Sequence, residues 1–99
     1  MDADLVSRAI VSWAGWGETS FPRRDDGVIA ETYGPEIASE LVKSVRALAH
    51  DFYSSQARNE VDDLAEMGDR AAAEFRGRHP EIAENAVQAL TWCYTFDNR

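Results

Sequence analysis

The sequence has a single cysteine, Cys93, which excludes an internal disulfide and makes a reducing compartment its natural setting. Its two histidines, His50 and His79, are far from each other and from Cys93 and lack the spacing of a zinc site. Lysine occurs once, at Lys43. The other nine basic residues are arginines, and with abundant alanine they suggest a GC-rich, bacterial coding source. No segment approaches the ~20 consecutive apolar residues that cross a bilayer. Met1-Asp2-Ala3-Asp4 is acidic where a secretory leader is basic, so a cytoplasmic location is expected. There is no strand-like alternation of useful length, no internal repeat and no low-complexity tract. Gly15-Trp16-Gly17 is not a phosphate loop, because the Lys and the following Ser or Thr are missing.

What the chain does have is acid. Eighteen Asp and Glu stand against ten Lys and Arg, a formal charge of −8 on 99 residues. This field repels phosphate backbones and anionic lipid over roughly a Debye length, about 8–10 Å at physiological salt. Direct nucleic-acid binding and membrane binding are therefore not expected, whereas a basic protein partner is favoured through steered encounter. The competing reading is that the acidity only supports solubility. A hydrophobic content of 44% with ten aromatic residues is that of a folded chain, and the length is that of one domain, monomeric or homodimeric when free.

Apolar periodicity predicts an all-α bundle of four to five helices with an irregular loop after the first. Leu5, Ala9, Ile10 and Trp13 mark the first helix, capped by Asp2 or Asp4 and stopped at Gly15. The loop to Arg24 carries Trp16 and Phe21, both expected to fold back onto the core. Within it, Arg23-Arg24-Asp25-Asp26 is expected to neutralise itself locally. A short helix through Val28, Ile29 and Tyr33 ends at Gly34. Pro35 opens a long helix with the stripe Ile37, Leu41, Val45, Leu48 and Phe52. Ser54, Ser55 and Asn59 suggest a break, with Asn59 and Asp62 as a capping pair. A third long helix with the stripe Val61, Leu64, Ala65, Gly68, Ala72 and Phe75 is then expected to stop at Gly77. Pro80 starts the last helix, whose stripe is Ile82, Ala86, Ala89, Leu90, Cys93 and Phe96. Val87, Trp92 and Tyr94 lie off that stripe, so this helix is either central or carries a contact surface on its second side.

The acid is concentrated between Asp51 and Asp69, where Asp51, Glu60, Asp62, Asp63, Glu66 and Asp69 face only Arg58. Glu60, Asp63, Glu66 and Asp69 recur every third residue, which places them along one helical face at a small cost in helix stability. Such a face either meets a partner or is merely solvated. His50 and Asp51 are adjacent and point about 100° apart on a helix, so they form no acid/base pair. Cys93 on an apolar stripe reads as a buried small hydrophobe. Trp92, Tyr94 and Phe96 cannot all point inward from one helix. Either the loop bearing Trp16 and Phe21 covers them, or some of them anchor a partner.

Glu66-Met67-Gly68-Asp69 and Glu60-Val61-Asp62-Asp63 resemble the second half of the carboxylate pattern of the MazG-type all-α nucleotide pyrophosphohydrolases. That resemblance implies a Mg²⁺-dependent enzyme. The first half departs from the pattern, since Glu36 and Glu40 are four apart rather than three and Glu81-Ile82-Ala83-Glu84 follows the pair instead of preceding it. Asp62-Asp63-Leu64-Ala65-Glu66 echoes the motif of prenyl-diphosphate enzymes, whose large helical cavity a chain this short cannot build. In size, charge and helical pattern the whole chain resembles bacterial immunity proteins that neutralise a cognate toxin nuclease. That resemblance implies a non-enzymatic binder without cofactor or metal. In it Asp51, Glu60, Asp62, Asp63, Glu66 and Asp69 meet the Lys and Arg of a basic toxin, while Trp92 and Tyr94 supply anchors. A phage-type acidic decoy of a nucleic-acid-binding protein would share the same surface chemistry.

Overall fold

A computed structural model describes residues 2–99. Among them there is no strand. The chain forms α1 (Ala3–Ala14), α2 (Asp26–Tyr33), α3 (Pro35–Tyr53), the single turn α4 (Ala57–Glu60), α5 (Leu64–Arg78) and α6 (Glu84–Asp97). This is the expected all-α bundle, with five helices of two turns or more.

Local chemistry sets most of the boundaries. The Asp2 side chain caps α1 by accepting the Asp4 N–H at 3.2 Å. The helix ends at Gly15, whose φ of 81° gives the left-handed turn that closes its N–H onto the Val11 carbonyl. Asp25 caps α2 through the Gly27 N–H at 2.9 Å. Pro35 opens α3. The break after α3 comes from the serines: Ser54 Oγ donates to the Asp51 carbonyl at 2.6 Å, and Ser55 Oγ accepts the Ala57 N–H at 3.2 Å.

Three boundaries differ from the sequence reading. The acidic run does not belong to one helix: Glu60 ends α4, Val61 is extended, and Asp63, not Asn59, caps α5 by accepting the Glu66 N–H at 3.0 Å. Buried Val61 and a tertiary hydrogen bond from the Arg58 N–H to the Tyr94 hydroxyl, at 3.1 Å, hold the chain in this stepped path. At the other end, α5 runs through Gly77 to Arg78. It stops where the His79 ring packs on Phe75, with centroids 4.7 Å apart. Pro80 then sits in a turn rather than in a helix, because the Ala83 N–H is tied to Ser7 Oγ on α1 at 2.9 Å and α6 starts only at Glu84.

The core is one contiguous cluster to which every helix contributes. α6 packs against α1, α3 and α5 and is the central helix, so Val87 and Tyr94 are buried alongside the expected stripe. Phe52, Phe75 and Tyr94 form its aromatic heart, with Phe52 centroids 5.3 Å from Phe75 and 5.6 Å from Tyr94. Cys93 is buried with them, and burial pushes its thiol up to about 11. On α3, Ala38, Leu41, Val45 and Phe52 face inward while Ile37 is 38% exposed. On α5 the buried stripe is Met67, Gly68, Ala71, Ala72 and Phe75; Leu64 and Ala65 face outward instead. Trp16 packs against the core as expected, but Phe21 is 61% exposed and does not fold back.

The Arg23-Arg24-Asp25-Asp26 cluster does not neutralise itself. Arg23 donates to the Ser12 carbonyl and reaches Glu18, while Asp26 accepts from Trp13 Nε1 at 2.9 Å and pairs with Arg46 at 2.7 Å. Arg24 makes a bidentate pair with Asp97 at 2.6 and 2.8 Å, and the Tyr53 hydroxyl donates to the same carboxylate at 2.6 Å. Four consecutive residues thus tie the loop to α1, α2, α3 and α6.

Candidate functional site

The arginines are largely consumed inside the molecule. Arg23, Arg24, Arg46, Arg70, Arg76 and Arg78 each reach a carboxylate. Arg58, the cation set within the acidic stretch, gives its guanidinium to the Tyr53 and Ser55 carbonyls at 2.8 and 3.0 Å. The negative charge is therefore left where no cation reaches. Glu60, Asp62, Asp63 and Asp69 make no ion pair among the described residues, and Glu66 has only an exposed contact with Arg70 at 3.9 Å. All five are exposed along the step from α4 to the first two turns of α5.

Asp51 does not belong to this surface. It accepts from Arg78 Nε at 2.9 Å and meets His79 Nε2 at 2.7 Å, joining the end of α3 to the end of α5. The Arg78 guanidinium, and then His79, hold its carboxyl below the usual range. At 1.5 Å of rise per residue this pair lies roughly 20 Å along α5 from the acidic step. Tyr94 does not belong to the surface either. It is fully buried, its hydroxyl donating to the Ser55 carbonyl and accepting the Arg58 N–H, both at 3.1 Å. It is a core residue, not an anchor that a partner can reach.

Trp92 does reach the surface. It is half-buried against Trp16, with ring centroids 5.2 Å apart, and forms one wall of an open groove of about 460 Å³ between α5 and α6. Leu64, Ala65, Gly68 and Phe96 supply the apolar lining and Asp69 the acidic one. The groove exists because Gly68 lets the two helices approach closely: a Cβ there would lie 2.9 Å from Thr95 Cγ2 and 3.0 Å from Thr91 Cγ2. Arg99 also lines the groove, its guanidinium carbon 4.1 Å from the Phe96 ring centroid. Asp69 belongs to both the groove and the acidic step, so carboxylates and aromatic surface are continuous.

Gly68 is buried as its place on the apolar stripe predicts, whereas Leu64, Ala65 and the half-buried Phe96, expected in the core with it, open onto the groove. The signal against that reading was in the helix itself, since α5 carries more small and apolar residues than one buried stripe accommodates. Among the described residues no three His, Cys, Asp or Glu side chains come together as a metal-holding group.

Elsewhere the carboxylates of Asp26, Asp51, Glu84 and Asp97 are lowered, chiefly by hydrogen bonds from Arg46, Arg78, Arg76 and Arg24 in turn. A lowered carboxyl binds fewer protons folded than unfolded, so its stabilisation is present above its ordinary value of about 4 and is lost as pH falls through the folded value. Chemical denaturation followed across pH should accordingly show stability falling from pH about 4 downward. In Asp97→Asn the curve should start lower at neutral pH and fall less steeply.

No family model, curated protein or solved structure matches this chain. Fold and surface together define it as a small helical bundle with an uncompensated acidic step beside an apolar groove. No helix of the described residues is long and apolar enough to cross a membrane.

Proposed function

We propose that this chain is a non-enzymatic binding protein of the immunity type, which neutralises a basic, nuclease-like toxin in the cytoplasm by covering its cationic surface. The observation that carries this reading is the continuity of the exposed carboxylates Glu60, Asp62, Asp63, Glu66 and Asp69 with the Trp92 groove. Uncompensated carboxylates on a rigid scaffold steer a cationic partner and select against acidic ones. The adjoining aromatic surface supplies the desolvated contact that slows dissociation. Asp51 and Tyr94, occupied inside the fold, support the scaffold and do not touch the partner.

The tagged chain should capture a basic protein from its host, and capture of none would remove this reading. Glu60→Lys, Asp62→Lys and Asp69→Lys together should then slow association with the captured protein about tenfold at low salt and flatten its salt dependence. These three positions are exposed, unpaired and free of capping duty, so circular dichroism should be unchanged. Asp63 and Glu66 are left intact because their cap contact holds the start of α5. An association rate equal to that of the unaltered chain would show that the acidic step is only a solvated surface.

A further inference from the structure

Arg99 lies in the α5–α6 groove and is stacked on Phe96. It is exposed, and its side chain has no carboxylate partner among the described residues. What holds it is the ring face, and the groove continues past it to Trp92 and Asp69. We propose that this groove recognises an arginine presented by a basic segment of a partner protein, the incoming guanidinium taking the place on Phe96 that Arg99 fills in the free chain.

The inference rests on the reading of the chain as a binder of basic proteins, and adds which side chain is read and where. A guanidinium suits the groove better than an ammonium does. It is planar, weakly hydrated and able to lie on an aromatic face while its edge donates to a carboxylate. Phe96 and Trp92 provide faces, Asp69 the carboxylate, and Leu64 and Ala65 a floor for the methylene stem. The acidic step beside the groove draws a Lys- or Arg-rich segment rather than a neutral one. A second copy of this chain is a poorer occupant, because it brings the same uncompensated carboxylates against the first. Arg99 acts as a tethered competitor. An exposed cation–π contact is strong enough to keep it in place most of the time, and its removal frees the groove for about threefold tighter binding.

Labelled nona-arginine and nona-lysine peptides, titrated by fluorescence anisotropy, test this on the full chain. Arg99→Gln and Arg8→Gln remove the same charge, but Arg8 lies on α1 away from the groove. Arg99→Gln should tighten nona-arginine about threefold beyond the gain from Arg8→Gln, with nona-lysine responding alike to both. Phe96→Leu should erase the preference for arginine over lysine. Equal effects of Arg99→Gln and Arg8→Gln on nona-arginine would overturn the proposal while leaving an acidic, charge-driven binder intact. Failure of both peptides to bind the unaltered chain would overturn both readings. A concentration-dependent dimer in light scattering that Arg99→Gln abolishes would also overturn it, by assigning the groove to a second copy.

Discussion

Tyr94→Ala should lower the unfolding free energy by about 3–5 kcal/mol, the cost of removing a fully buried aromatic side chain. Against the 5–15 kcal/mol typical of whole domains, that is a loss large enough to populate unfolded chain at moderate temperature. The ring packs edge-on against Phe52 and Tyr53, with centroids at 5.6 and 5.4 Å, so its loss opens the contact between α3 and α6. Tyr94→Phe separates the hydroxyl from the ring. It leaves the Arg58 N–H without its partner and the Ser55 carbonyl with only the Arg58 guanidinium, at about 1–3 kcal/mol. That hydroxyl also pins α4, which carries the chain into the acidic step. Urea denaturation monitored by circular dichroism checks both values. A change of less than about 0.5 kcal/mol in Tyr94→Ala would contradict its place in the core.

Gly68→Leu should be nearly as damaging, by about 3 kcal/mol, although leucine is the better helix former by close to 1 kcal/mol. Even the Cβ of the new side chain would meet Thr91 and Thr95 Cγ2 at 3.0 and 2.9 Å. Those threonines cannot simply rotate away, because Thr91 Oγ1 donates to the Val87 carbonyl at 2.7 Å and Thr95 Oγ1 to that of Thr91 at 3.0 Å. α5 must therefore move off α6. Gly68→Ala brings the same Cβ against Thr95 and Thr91 but nothing beyond it, and its propensity gain offsets part of the strain, so it should be clearly milder. Thermal unfolding of the two variants checks the order. Equal melting temperatures for Gly68→Leu and the unaltered chain would show that the α5–α6 contact is not tight. Because Gly68 also lines the groove, Gly68→Ala should in addition make that groove shallower.

The pattern of apolar residues and punctuating glycines, prolines and aspartates determined by itself that the chain is an all-α bundle, and located α1, α2 and α3 within a residue or two. Capping and periodicity are local: Asp2, Asp25, Gly15, Gly34 and Pro35 act on backbone groups a few residues away, so the sequence alone exposes them. The concentration of uncompensated acid after Ser55 was equally legible, because charge needs no fold to be counted. Only the tertiary structure decided what each charge does. Asp51 meets Arg78 and His79 across 27 and 28 positions, and Arg24 meets Asp97 across 73. Tertiary contact also decided the faces. Tyr94 turned out to be core and Leu64 to be groove, since a central α6 buries more than one stripe and a hydrogen bond from Arg58 to Tyr94 breaks the predicted helix into α4 and α5. Contacts between distant segments are chosen by mutual packing and desolvation over the whole molecule, and neither leaves a local signature in the chain.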